Sequence, residues 1–141
     1  DRRQERPTLD GGLQADFRNA LWNGRVDEAA AHLFRLPRAV TSRGLSAADK
    51  VALGDALARA GRGRASLAAY QRALADHPTA AERPAAHLGA AKVLLYGFGE
   101  PTAAYQHLYS AMEENPTPVE AEEARALLDD LRRRVRTVPR W

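Results

Sequence analysis

The chain has no cysteine. Disulfide stapling, thiolate zinc sites and thiol catalysis are therefore all excluded. Aromatic residues make up 6% of the 141 residues, methionine occurs once, and lysine stands only at Lys50 and Lys92. No apolar run approaches the roughly 18–20 residues of a membrane-spanning helix, and no secretory signal pattern is visible. What the chain does have is alanine and arginine, with an apolar share of 45%. Enough apolar surface with few bulky side chains suits thin helical layers at close approach rather than a bulky globular centre. The length fits one domain or one short repeat array. Because the chain starts at Asp1 and not at methionine, we expect it to be a piece of something longer.

The net charge of +3 is unevenly spread. Residues 1–6 and 132–141 carry eight arginines (Arg2, Arg3, Arg6, Arg132, Arg133, Arg134, Arg136, Arg140) against Asp1 and Glu5, a balance of +6 that leaves −3 for residues 7–131. The folded body is mildly acidic and the ends are basic. If a membrane span preceded residue 1, the arginines there would favour a cytoplasmic placement.

The organising stretch is Lys50 to Pro78. Leu53, Ala56, Leu57 and Ala60 recur at helical spacing, Gly61 to Gly63 break the pattern, and Leu67, Tyr70, Ala73 and Leu74 resume it. Gly54 and Ala58 on the first helix, and Ser66 and Ala73 on the second, are small enough for close packing. Pro78 ends the second helix. This helix–turn–helix resembles the tetratricopeptide repeat, a unit of about 34 residues. Leu53-Gly54 matches the family's leucine-glycine pair, Gly61 its turn glycine, Tyr70 its aromatic, and Ala73 and Pro78 its alanine and closing proline. Ser66 stands where alanine is usual and Lys50 where tryptophan is frequent.

Two further hairpins follow the same scheme. Helices over about 13–22 and 26–36 flank Asn23-Gly24, with Gly24 as hinge, Ala29 as the small contact residue and Leu33 in the aromatic position. Asp16-Phe17 replaces the leucine-glycine pair there. A third pair covers about 85–96 and 102–114, with Gly97 to Gly99 as turn and Ala104, Leu108, Ala111 and Pro116 at family positions; Ala91-Lys92 stands where leucine-glycine would be. Gly24, Gly61 and Gly99 are 37 and 38 residues apart, and the excess is assigned to a loop over 38–45 and an insertion over 79–84. Ser46 to Asp49 reads as a capping box at the start of the central hairpin. Thr117-Pro118-Val119-Glu120 reads as another, opening a terminal helix to Val135 with Ala124, Leu127, Leu128, Leu131 and Val135 as its apolar stripe. The predicted organisation is a polar lead-in over 1–12, repeats over about 13–37, 46–78 and 85–116, a capping helix over 117–135 and a basic tail over 136–141. The resemblance implies an all-α, right-handed superhelical solenoid of about seven helices.

No enzymatic constellation emerges. His32, His77, His87 and His107 form no H-x-x-x-H or H-E-x-x-H spacing, and a zinc site needs three or four convergent ligands. The turn Gly61-Arg62-Gly63-Arg64 follows a helix instead of a strand and lacks phosphate-loop spacing. We expect no catalytic residue, cofactor or metal. The terminal arginines lack the aromatic interleaving of a nucleic-acid surface. The family resemblance instead implies a groove lined by the leading helices, here Gln14, Arg18, Leu21, Trp22, Val51, Asp55, Arg59, Val93 and Tyr96, that takes a partner peptide or helix. Val51 and Asp55 replace the asparagines of the carboxylate-clamp subclass. A non-enzymatic interaction module, adaptor or scaffold, is the expected role. The alternative is a structural or oligomerisation tail on a membrane or catalytic domain.

Overall fold

The computed structural model describes residues 9–136. Among them the regular elements are all helices: α1 (Leu9–Trp22), α2 (Val26–Phe34), α3 (Arg38–Gly44), α4 (Ala47–Arg59), α5 (Gly63–Asp76), α6 (Arg83–Lys92), a π-helical segment (Val93–Gly97), α7 (Pro101–Glu113) and α8 (Pro118–Arg136). None of these helices is long and apolar enough to cross a membrane. Arg2, Arg3 and Arg6 of the lead-in, and Arg140 of the tail, lie outside the described residues.

Three hairpins share one hinge. Gly24, Gly61 and Gly99 have φ of +77°, +77° and +63°, a region where only glycine is free of a Cβ penalty. The next residue then leads into the following helix with ψ of 69° at Arg25, 64° at Arg62 and 78° at Glu100. The Arg25 amide donates to the Ala20 carbonyl at 2.9 Å and the Arg62 amide to Leu57 at 2.8 Å, which closes the orphan carbonyls of the preceding helix. In the third hairpin the Glu100 amide reaches back to Leu94 at 2.8 Å, one residue further. The π-helical segment absorbs that extra residue. Five positions after each hinge sits a fully buried small residue (Ala29, Ser66, Ala104), and nine positions after it a large buried one (Leu33, Tyr70, Leu108).

The core is serial, not central. Phe17, Leu33, Leu45, Leu53 and Leu57 join α1, α2 and α4. Val51, Tyr70, Ala86, Ala90 and Val93 join α4, α5 and α6. Leu88, Leu95, Leu108, Leu127 and Leu131 join α6, α7 and α8. The hairpins α1–α2, α4–α5 and α6–α7 thus pack in series through α2–α4, α4–α6 and α5–α6, with α3 on α1 and α8 on α6 and α7, a helical-repeat-like all-α architecture. Tyr70 lies where α4, α5 and α6 meet. A methyl group built on Gly54 would sit 2.5 Å from its ring, and one on Gly89 closer still. The Ser66 hydroxyl donates to the Gly54 carbonyl at 2.6 Å, fixing the α4–α5 approach.

Several expectations are corrected. Residues 38–45 are not a loop: Pro37 precedes α3, whose buried Thr41 accepts from Arg72 of α5 at 2.7 Å. Helix α1 begins at Leu9, so Gly11-Gly12 lie inside it; packing of α1 against α2 and α3 overrides the weak helix propensity of glycine. Helix α6 starts at Arg83, with Pro84 in its first turn. In the third hairpin it is Gly89, preceded by the buried Leu88, that meets Tyr70 as Gly54 does. Since Gly89 lies 35 residues after Gly54, most of the excess length follows Gly89, toward the π-helical segment, and does not lie in the 79–84 stretch. The two capping boxes are present: the Ser46 hydroxyl accepts from the Asp49 amide at 3.1 Å, and Thr117 from Glu120 at 3.1 Å. Ala124, Leu127, Leu128 and Leu131 are the buried stripe of α8, while the side chain of Val135 lies outside the described residues.

Candidate functional site

Helices α4 and α6 lie side by side and, with α8 and the π-helical segment, wall a line of three adjoining recesses. At one end Val51 and Asp55 of α4 face Leu88 and Gly89 of α6 and Glu120 and Glu123 of α8. In the middle, Asp55, Ala58 and Arg59 face Gly89, Lys92 and Val93 across the edge of Tyr70. At the far end a recess of about 520 Å³ runs from Ala58 past the Gly61–Gly63 turn to Val93, Tyr96 and Phe98. Asp55, Ala58, Gly89, Lys92 and Val93 each line more than one recess, so they form one continuous depression.

Its charges are ordered along that line. The Tyr70 hydroxyl donates to Asp55 at 2.5 Å. Burial first, then the Asp55 carboxylate, pushes the phenol well above its ordinary range, so it stays a neutral donor. Lys92 pairs with Glu123 at 2.7 Å. Tyr96 donates to Asp130 of α8 at 2.5 Å, and the Arg134 guanidinium lies 4.9 Å from the centre of its ring. The ring is thereby held in place although half exposed. Arg59 and Arg64, in contrast, make no hydrogen bond or ion pair among the described residues.

Of the residues assigned to a groove from the sequence, Val51, Asp55, Arg59, Val93 and Tyr96 do line this depression. The four from the first hairpin do not. Gln14 and Arg18 donate to the two carboxylate oxygens of Asp49 at 2.8 and 2.9 Å, tying α1 to the start of α4. Burial alone would raise the Asp49 carboxyl, but these bonds and those from Ser46 hold it below the usual range. Leu21 packs against the first core. Trp22 is 78% exposed but lines none of the three recesses. Sequence reasoning missed Arg64, Lys92, Phe98, Glu120 and Glu123. An exposed aromatic beside the hinge glycine was the available signal for Phe98; α8 as a groove wall had none.

Two polar clusters lie elsewhere. Lys50 is fully buried, with its ammonium 3.1 Å from Asp76 and 2.7 Å from the His77 ring. Arg72 and Arg38 pair with the same carboxylate. Burial depresses the Lys50 ammonium, with Asp76 opposing. In the second cluster His87 and His107 face each other Nδ1 to Nδ1 at 2.9 Å, and His87 Nε2 meets Glu114 at 3.1 Å. Arg83 pairs with Glu114 and donates to the Leu74 carbonyl at 2.6 Å. These networks bind the end of α5 to α3, α4, α6 and α7. Among the described residues no three His, Asp or Glu side chains converge as a metal site.

The chain matches no model of a known protein family, and no curated protein matches it.

Proposed function

We propose that this chain is a tetratricopeptide-like interaction module that takes a peptide or helix of a partner protein along the α4–α6–α8 depression. What supports the reading is the hinge repeated at Gly24, Gly61 and Gly99, the leucine-glycine pairs at Leu53-Gly54 and Leu88-Gly89, and the small and large buried positions that follow each hinge. The observation that carries it is the continuity of the depression: its recesses share lining residues from neighbouring leading helices, so one extended segment could occupy them all. Apolar floor, polar rim and an exposed, pre-positioned aromatic are the features of a binding surface.

Selection from a displayed peptide library tests this. Enriched peptides are expected to bind wild type, to lose roughly tenfold or more against Ala58→Arg, and to be indifferent to Trp22→Ala. Ala58 is exposed and lines two of the recesses, so the arginine obstructs without disturbing the core. A library that yields no binder, or binders blind to Ala58→Arg, would reject the reading. Sedimentation showing a dimer dispersed by Ala58→Arg would put a second copy in place of the peptide.

A further inference from the structure

The far recess has a chemistry of its own. Its walls are carbon: Val93, the Phe98 ring and the Tyr96 ring, over the backbone of Gly61, Gly63 and Gly97. Phe98 lies against Gly63, where an added Cβ would meet the ring at 3.5 Å. Tyr96 has its hydroxyl on Asp130 and the Arg134 guanidinium over its ring. No carboxylate lines this recess; Arg64 does, and Arg59 lines the adjoining one. Lys92 already has Glu123. The recess therefore presents an apolar pocket with the unpaired Arg64 guanidinium on its rim, and with Arg59 next to it in the adjoining recess, one turn from Asp55.

Resting on the groove reading above, we infer that the segment bound there is acidic-apolar: a partner protein's aliphatic or aromatic side chain enters the recess between Val93 and Phe98, and flanking carboxylates meet Arg59 and Arg64. An apolar segment without acids would leave Arg64 unanswered. A basic one would be repelled. A nucleic acid would find, among the described residues lining the depression, Arg64 and Arg59 with the carboxylates of Asp55, Glu120 and Glu123 along the same line, whereas phosphate-backbone binding draws on many cations along a track.

The test uses fluorescein-labelled hexapeptides in polarisation titrations with the 141-residue chain: Asp-Glu-Leu-Phe-Glu-Asp, its neutral counterpart Asn-Gln-Leu-Phe-Gln-Asn, its basic counterpart Lys-Lys-Leu-Phe-Lys-Lys, the acids-only Asp-Glu-Gly-Ser-Glu-Asp, and a single-stranded DNA hexamer. The acidic-apolar peptide is expected to bind at least roughly tenfold tighter than each of the other four. Arg64→Glu should weaken it by a similar factor and strengthen the basic peptide, and Phe98→Ala should weaken it without changing its charge preference. Arg64 and Phe98 are exposed, and a melting curve of each variant reports that it folds. Equal binding of the neutral or basic peptide, stronger binding of the DNA, or failure of all five probes overturns the inference. The groove reading falls with it only if the displayed library also gives no Ala58→Arg-sensitive binder.

Discussion

Tyr70 shows how much a single residue decides here. Its ring occupies the volume that side chains at Gly54 and Gly89 would need. Gly89→Ala should therefore destabilise the protein by about 1–3 kcal/mol through overpacking, even though alanine favours helix by about 1 kcal/mol. Urea unfolding checks this, and Tyr70→Leu in the same chain should recover part of the loss. Asp76 is the second such residue: its carboxylate is 4% exposed and answers Lys50, Arg72 and Arg38. Asp76→Ala strands buried cations and should cost about 3–5 kcal/mol, whereas Lys50→Met leaves Asp76 with two arginines and should cost far less. The histidine pair sets a pH response. His87 is depressed by burial, with Glu114 opposing; His107 is depressed by burial and by His87; His77 is depressed by burial and Lys50. Folded rings thus hold fewer protons than unfolded ones just below the ordinary value of 6.5. Stability should fall as pH drops through that value, until the folded rings protonate as well. Melting temperatures measured from pH 7.5 to about 5 should show the slope, and His87→Gln with His107→Gln should reduce it, leaving the share of His77. Glu114, held low mainly by Arg83, adds its own loss only below the ordinary carboxyl value of 4.5. The sequence made Tyr70 and Gly54 legible because aromatic and glycine stand at fixed offsets from Gly61. It could not reveal the meeting of His87 with His107, whose spacing of 20 residues carries no local signal.

Among elements, those with chemical punctuation were readable. Ser46 with Asp49 and Thr117 with Glu120 announced α4 and α8, since a side-chain oxygen and an acid three residues on satisfy the orphan amides of a helix start. Asp49 does more than cap, because Gln14 and Arg18 bond the same carboxylate. Asp49→Ala should cost about 2–3 kcal/mol, against about 1 kcal/mol for Thr117→Ala. Arg18→Ala should lower the melting temperature and leave peptide affinity untouched; a change in affinity alone would return Arg18 to the groove. Helix α3 was illegible. Its seven residues, Arg-Ala-Val-Thr-Ser-Arg-Gly, offer no apolar period and no capping side chain, and its stability comes from contacts with α1 and from Arg72 on Thr41. The same tertiary override hid the start of α1 at Leu9, ahead of two glycines.

At the scale of the whole molecule, cores in series replace a centre. The middle helices α4, α5 and α6 have neighbours on both sides, while α1, α2 and α8 border fewer. Amide exchange should accordingly be slowest in α4–α6 and faster toward α1 and α8; protection of equal depth along the chain would contradict a serial core. All-α character and three glycine hinges followed from composition and periodicity. The depression was half legible: Val51, Asp55, Arg59, Val93 and Tyr96, assigned through the tetratricopeptide resemblance, line it, but which hairpins face one another depends on packing distant in sequence.

The π-helical segment has a last consequence. Its extra residue falls between Gly89 and Gly99, in the wall beside Tyr96 and Phe98, while the hinge beyond it keeps its glycine of positive φ and closes one residue further back than the other two. Chain length there can change the width of the cleft without disturbing the helices on either side. Insertion or deletion of one amino acid there would reshape the recess between Val93, Tyr96 and Phe98 while the glycine hinges at Gly24 and Gly61 stay as they are.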